Sequence, residues 1–275
     1  MRFTNGMLSR FPDPAPAAQS RRPTVAPFAR ALSVLASFSS RDQWLSNSEF
    51  VARTGLPAST VTRMTSTLVT LGYLHCAPDT RRFCLSPSVL ALGYGAAVDA
   101  EIHRPTNQLM RVFAEHHQVN VQLSCRDRLD LVVMDSCLTD ALPALLQPGV
   151  GTRLGMASSA AGWALLACLP EAERDYLLRA RPHAPAEPKS DWNPMRRHAN
   201  EAILQVRNDG FCVALGESGH PMTMVAAPIR RRGLAPLAVS CMGPATRIGR
   251  ARSTRELGPA LVRMVEEIQR VWNTS

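Results

Sequence analysis

Nowhere in this 275-residue sequence do eighteen apolar residues run together, which excludes a membrane-spanning helix by hydropathy. The N-terminal stretch MRFTNGMLSRFPDPAPAAQSRRP lacks the continuous apolar segment of a signal peptide. The seven cysteines (Cys76, Cys84, Cys125, Cys137, Cys168, Cys212, Cys241) never form a C-x-x-C pair. Their odd number and wide scatter argue against a disulfide framework or a zinc module. They read as small buried thiols in a reducing cytosol, so a cytoplasmic location is expected. No glycine-rich phosphate loop is present. The adjacent His116 and His117 point about 100° apart on a helix and do not chelate one metal. Neither a metal nor a cofactor is expected. Lysine is nearly missing too: Lys189 is the single one among 31 basic residues.

What is there suits a globular chain of two domains, with 45% hydrophobic residues. The net charge is +9, and it is unevenly spread. Residues 1–92 hold ten arginines against four acids, whereas the longer remainder holds 21 bases against 18 acids. The basic N-terminal part is therefore the candidate for binding a polyanion.

Residues 1–23, rich in Pro, Ala, Ser and Arg without periodicity, read as a disordered tail. Phe28, Leu32, Leu35 and Phe38 then recur at helical spacing. A short helix follows Ser46, with Glu49 three residues on as in a capping box, and Gly55 supplies its stop. The next helix lies in PASTVTRMTSTLVTLGYL, with Pro57 near its first turn. Val61, Met64, Leu68 and Leu71 form its apolar stripe. Ser59, Thr62, Arg63, Ser66 and Thr70 project to the opposite face. An ordinary solvated face is dominated by long charged side chains, but this one has no acid and one arginine. Short hydroxyls and arginine are what a helix needs to meet base edges and phosphates in the major groove. After Gly72, two short extended runs flank the turn Pro78-Asp79-Thr80, with Arg81 and Arg82 at its side. The pattern is a winged helix-turn-helix over residues 24–86. Candidate DNA contacts are Ser59, Thr60, Thr62, Arg63 and Ser66, with Arg81 and Arg82 on phosphates.

The second half reads as α+β. VNVQLSC (119–125) and LDLVVMDS (129–136) make a hairpin around Arg126-Asp127-Arg128, and TMVAAPIRR with PLAVSCM makes another around Gly233. Helical patterns flank them in HRPTNQLMRVFAEHH, SSAAGWALLACL, PEAERDYLLRARP, PMRRHANEAILQVRNDG and TRELGPALVRMVEEIQRVW. An antiparallel sheet with helices around it follows. The segment GESGH at 216–220 imitates a nucleophile elbow, but His220 stands where the final glycine belongs and no strand-to-helix context surrounds Ser218. Asp135 and Glu217 have no catalytic partner at a fixed spacing. The chain is not expected to be an enzyme.

RALSVLASFSS, LSNSEFVARTGLPASTVTRMTSTLVTLGYL and RRFCLSPSVLALG together resemble the winged-helix domain and linker helix of the IclR-type bacterial transcriptional regulators. PGVGTRLGMASSAAGWALLACLP and NDGFCVALGESGHPMTMVAAPIRRRGLAPLAVSCMGPATR extend the resemblance to roughly residues 28–272. It implies a linker helix at 87–102 and a GAF-like effector-binding domain at 103–275. It also implies a pseudo-palindromic double-stranded DNA operator, a small-molecule effector, and a homodimer or homotetramer. Position by position, the family's pocket falls on Ala160, Ala161, Ala214, Met224, Ser240 and Met242, and Met156, Ser158 and Ser159 at the helix start are further candidate effector contacts. Relatives that sense small polar acids commonly have aspartate at 214, cysteine at 224 and serine at 242. The apolar residues here favour an aromatic or largely apolar carboxylate, held by Ser240 and by groups between Gly155 and Ser159. The alternatives are an enzyme with an accessory nucleic-acid module, and a regulator whose second domain, its pocket filled by its own methionines, serves only assembly.

Overall fold

The computed structural model describes residues 25–38, 42–97, 100–140, 148–179, 192–216, 221–230 and 235–274. The expected tail, the turn around Gly233, and Glu217, Ser218 and His220 lie outside the described residues. The chain divides into two compact units, the division coming after residue 98.

The first unit holds α1 (Ala26–Leu35), α2 (Asn47–Thr54), α3 (Ala58–Thr70), β1 (Leu74–Cys76), β2 (Phe83–Leu85) and α4 (Pro87–Ala97). Val34, Leu45, Phe50, Val61, Met64, Leu68, Leu74 and Phe83 form its core. Phe50 sits between Phe38 and Phe83, at ring-centroid distances of 5.4 and 6.0 Å. Each fully buried side chain of this kind contributes about 1.5–3 kcal/mol. Three expected core positions differ. Leu71 is 62% exposed, because α3 has already ended at Thr70. On α1 Val34 is buried in the core with Ala31 and Leu35 packed against it, while Phe28 and Leu32 stay exposed.

The second unit runs α5 (Ala100–His117), β3 (Asn120–Asp127), β4 (Asp130–Cys137), β5 (Arg153–Gly155), α6 (Ala160–Leu166), α7 (Glu171–Arg179), α8 (Trp192–Asp209), β6 (Cys212–Ala214), β7 (Met222–Ile229) and β8 (Leu237–Pro244). It closes with α9 (Arg250–Arg252), a π-helical turn (Ser253–Leu257) and α10 (Gly258–Thr274). The strands form one antiparallel sheet in the order β5-β4-β3-β8-β7-β6. β3 and β4 are joined by a two-residue turn whose first residue, Arg128, has φ 59°. Arg126 Nε donates to the Arg128 carbonyl at 3.0 Å and braces it.

Strand alternation sends one set of side chains to each face. Val121, Leu123, Val225, Ala227, Val239 and Cys241 pack against α5 and α10. Ala226, Ala238 and Cys212 face the opposite way, toward α6, α7 and α8. The sheet is therefore buried on both faces. Pro228 lies inside β7 without breaking a ladder, because β6 pairs β7 only as far as Ala226 and leaves that edge open.

Candidate functional site

α2 and α3 form the helix-turn-helix. Ser46 Oγ accepts from Glu49 N at 3.3 Å, and Glu49 Oε2 accepts from Ser46 N at 2.8 Å, a reciprocal capping box. The Ser46 hydroxyl, the largest influence, holds the Glu49 carboxyl below its ordinary value. Gly55 ends α2 at φ 68°, a left-handed turn that a side chain would strain.

On α3, Ser59, Thr62, Arg63, Ser66 and Thr70 are exposed, and Thr60 is half-buried. The hydroxyls on this face are not equivalent. Thr62 Oγ1 donates to the Ala58 carbonyl at 3.0 Å and accepts from Asn47 Nδ2 at 3.3 Å. Thr70 donates back to Ser66, one turn earlier. Such bonds to the preceding turn use up the hydroxyl proton. Ser59, Arg63 and Ser66 make no side-chain hydrogen bond among the described residues. Asn47 was not singled out in the sequence. Its position at the start of α2 gave no hint that it would brace α3, fifteen residues on.

The wing is the β1–β2 hairpin, with Leu74 opposite Leu85 and Cys76 opposite Phe83. Leu45 pairs with Phe83 and adds a third edge. Arg81 is exposed at the turn with φ 49°. Arg82 folds inward instead, donating from Nη2 to the Trp44 carbonyl at 2.8 Å and to Glu49 Oε2 at 3.2 Å.

The other candidate residues gather on the α6 side of the sheet. Ala214 pairs with Met224, Met224 with Met242, and Met242 with Asn120, so these four stand in one row across β6, β7, β8 and β3. The next row carries Cys212, Ala226, Ser240 and Gln122. Ala160, Ala161 and Met156 are buried at the start of α6. The helix approaches its own entry loop so closely that a Cβ on Gly162 would lie 2.2 Å from the Met156 carbonyl oxygen.

The start of α6 offers less than the sequence suggested. α6 is only seven residues long. The Ser159 hydroxyl donates to the Gly155 carbonyl at 2.7 Å and caps the Gly162 N–H at 3.1 Å, so its proton and one lone pair are engaged. Ser158 is exposed.

Sequence reasoning missed the polar residues of β3. Asn120, Gln122 and Ser124 are completely buried, on the same face as Ser240. The signal was the alternation of polar and apolar residues in VNVQLSC, which does not by itself tell a buried polar face from a solvated one. Asp135, by contrast, is on the α5 side, where it accepts from Asn107 Nδ2 at 2.8 Å and from Ser136 N. Among the described residues no helix is long and apolar enough to cross a membrane.

Residues 28–76 match the IclR helix-turn-helix domain, and residues 95–270 match the C-terminal domain of bacterial transcriptional regulator IclR. The chain belongs to the IclR family. It is a transcriptional regulator with a helix-turn-helix DNA-binding domain. An IclR-family regulator from Brucella abortus superposes with a TM-score of 0.77 at 30% identity, covering 97% of this chain and 99% of that one. The HTH-type transcriptional regulator TsaQ1/TsaQ2 of Comamonas testosteroni is 28% identical over 88% of this chain and 86% of its own length. At 20% identity, an IclR homologue from Microbacterium hydrocarbonoxydans, crystallised with 4-hydroxybenzoate, shares the fold with a TM-score of 0.70. It covers 90% of this chain and all of that one.

Proposed function

We propose that this regulator binds a pseudo-palindromic operator as a dimer or tetramer and responds to an aromatic or otherwise largely apolar carboxylate. The observation that carries the effector class is the row Ala214, Met224 and Met242, three apolar side chains in register on the sheet face beneath α6. A small acid with several hydroxyls would leave polar groups unpaired there, at about 1–3 kcal/mol each. A hydrocarbon or aromatic surface gains from the same contact. That a protein of this fold was crystallised with 4-hydroxybenzoate supports an aryl carboxylate as a compound the fold accommodates.

Self-association is supported by α1. Val25, Phe28 and Leu32 follow at i, i+3 and i+7 and are 71, 65 and 49% exposed. An apolar stripe on a helix end of the DNA-binding unit suits a second copy of the chain, and two-fold symmetry calls for a pseudo-palindromic site.

Calorimetric titration of the full chain with benzoate, hexanoate and glyoxylate tests the effector class. Tight binding of the first two is expected. Tight binding of glyoxylate alone would overturn the reading, and a silent response to every compound would favour a domain that serves only assembly.

A further inference from the structure

We propose that Asn120, Gln122 and Ser124 of β3, with Ser240 of β8, form a hydrogen-bonding strip that recognises one neutral hydroxyl on the largely apolar carboxylate effector. This rests on reading the α6 side of the sheet as the effector site. All four residues are 0% exposed. Asn120 Nδ2, Gln122 Oε1, Ser124 Oγ and Ser240 Oγ nevertheless have no hydrogen-bond partner among the described residues. Buried polar atoms are nearly always paired, so four orphans side by side point to a partner from outside the chain.

They are side by side. In the β3–β8 ladder Gln122 pairs directly with Ser240, with Asn120 opposite Met242 on one side and Ser124 opposite Ala238 on the other. Residues opposed in this way have Cβ atoms about 4.5–5.5 Å apart, near enough to share one small group. Successive same-face residues on β3 lie about 7 Å apart. The strip continues directly into the apolar row of Met242, Met224 and Ala214.

The strip's chemistry follows from the bonds that are already made. Asn120 Oδ1 accepts from the Thr139 N–H at 2.7 Å and from its hydroxyl at 3.0 Å, which turns the amide nitrogen outward as a donor. Gln122 Nε2 donates to the Pro148 carbonyl at 2.6 Å, which leaves Oε1 outward as an acceptor. Flipping either amide would set oxygen against oxygen or N–H against N–H. A carboxylate only accepts, so it would place a negative oxygen against Gln122 Oε1. An ammonium only donates, and would leave Asn120 Nδ2 without an acceptor. A hydroxyl does both, donating to Gln122 and accepting from Ser240 or Asn120. No net charge stands within the strip to favour an ion. The next residue on this face of β3, Arg126, is paired with Glu173.

Two ligand pairs and two variants of the full chain test this by calorimetry: benzoate against its ring-hydroxylated derivatives, and hexanoate against 6-hydroxyhexanoate. The hydroxylated member should bind at least about tenfold tighter in one pair or both, because a site built for a hydroxyl rejects the analogue that lacks it. Ser240→Ala should erase most of that preference, lowering the hydroxylated member's affinity more than its partner's. Because the Ser240 hydroxyl has no partner among the described residues, the variant's Tm without ligand should hold or rise. Gln122→Met should also erase the preference, although it gives up the Pro148 bond. A preference in the hexanoate pair alone would overturn the aromatic class and keep the strip. Equal affinities within both pairs, as a strip that merely holds water would give, overturn the strip. So does a preference that survives both variants, or no binding by any of these compounds.

Discussion

Arg82 donates from Nη2 to the Glu49 carboxylate 3.2 Å away, and so fastens the wing to the cap of the helix that precedes the reading helix. The two adjacent arginines of the wing therefore have different tasks. Arg81 is exposed and free to meet a phosphate, while Arg82 shapes the hairpin that presents it. Arg81→Ala should weaken binding to all DNA and reduce the slope of log affinity against log salt by about one. Arg82→Ala should lower the Tm of the DNA-binding unit and change the slope less. Equal slope losses for the two variants would show that Arg82 leaves Glu49 to contact DNA.

Arg63 carries the sharpest expectation on the reading helix, since it is exposed and makes no side-chain hydrogen bond among the described residues. Arg63→Ala should cost about 1–3 kcal/mol of operator binding and relax base preference, as removal of a bidentate base contact does. Thr62→Val should behave otherwise. The Thr62 hydroxyl is engaged by Ala58 and Asn47, so its loss should loosen α3 against α2 and weaken specific and random DNA alike. Fluorescence anisotropy on operator and random duplexes separates the two outcomes.

The depressed Glu49 carboxyl gives the DNA-binding unit a signature in acid. Hydrogen bonds from Ser46 are the main cause, with smaller help from the charges of Arg82 and Arg53. A carboxyl whose folded pKa lies below its ordinary 4.5 stabilises the fold above that value and loses its contribution as pH falls through the folded pKa. Glu49→Gln should therefore lower Tm at neutral pH, with the gap to the parent closing as pH falls from 4.5 through the lowered folded pKa. A gap that is constant from pH 7 to 3 would assign the loss to the neutral capping bonds alone.

Much of the first unit was legible because its determinants lie close together in sequence. Ser46 and Glu49 cap a helix three residues apart, Gly55 ends it, and Val61, Met64 and Leu68 need only helical periodicity to find the core. The β3–β4 hairpin was equally local. What escaped depends on neighbours far along the chain. Arg82 finds Glu49 across 33 residues. Phe28 and Leu32 have the right spacing for a core face, but the side chains behind them fill that core first. Asn120, Gln122 and Ser124 alternate with apolar residues as a half-solvated strand does. They are buried because β8 and the α6 side of the unit, far along the chain, close over them.

If the effector rests on the row Ala214, Met224 and Met242 as proposed, changing that row should exchange the effector class. Because the three side chains lie directly opposite one another, Ala214→Asp, Met224→Cys and Met242→Ser together should turn one continuous apolar surface polar. The triple variant should lose affinity for benzoate and hexanoate and gain it for glyoxylate-sized acids. Met224→Leu, which keeps the surface apolar, should change affinities by less than about tenfold. Calorimetry on the same panel decides. Unchanged preferences in the triple variant would move the effector site off this row.

α6 provides the last prediction, because it is held over the sheet by two small residues with separate roles. Ser159 caps it, and Ser159→Ala should cost about 1 kcal/mol, as loss of an N-cap hydroxyl does. Gly162 permits the close approach. Its substitution by alanine would press a Cβ to 2.2 Å from the Met156 carbonyl oxygen, a backbone atom with little room to give. Gly162→Ala should therefore cost about 1–3 kcal/mol by overpacking and shift α6 away from β7 and β8. The two variants should differ in ligand response. Ser159→Ala weakens the fold but keeps the helix in place, so effector affinity should survive. Gly162→Ala moves Ala160 and Ala161 relative to Met224 and Ser240, so affinity should fall with stability. Urea unfolding paired with calorimetry measures both quantities. Intact affinity in Gly162→Ala at reduced stability would place the effector away from the α6 side of the sheet.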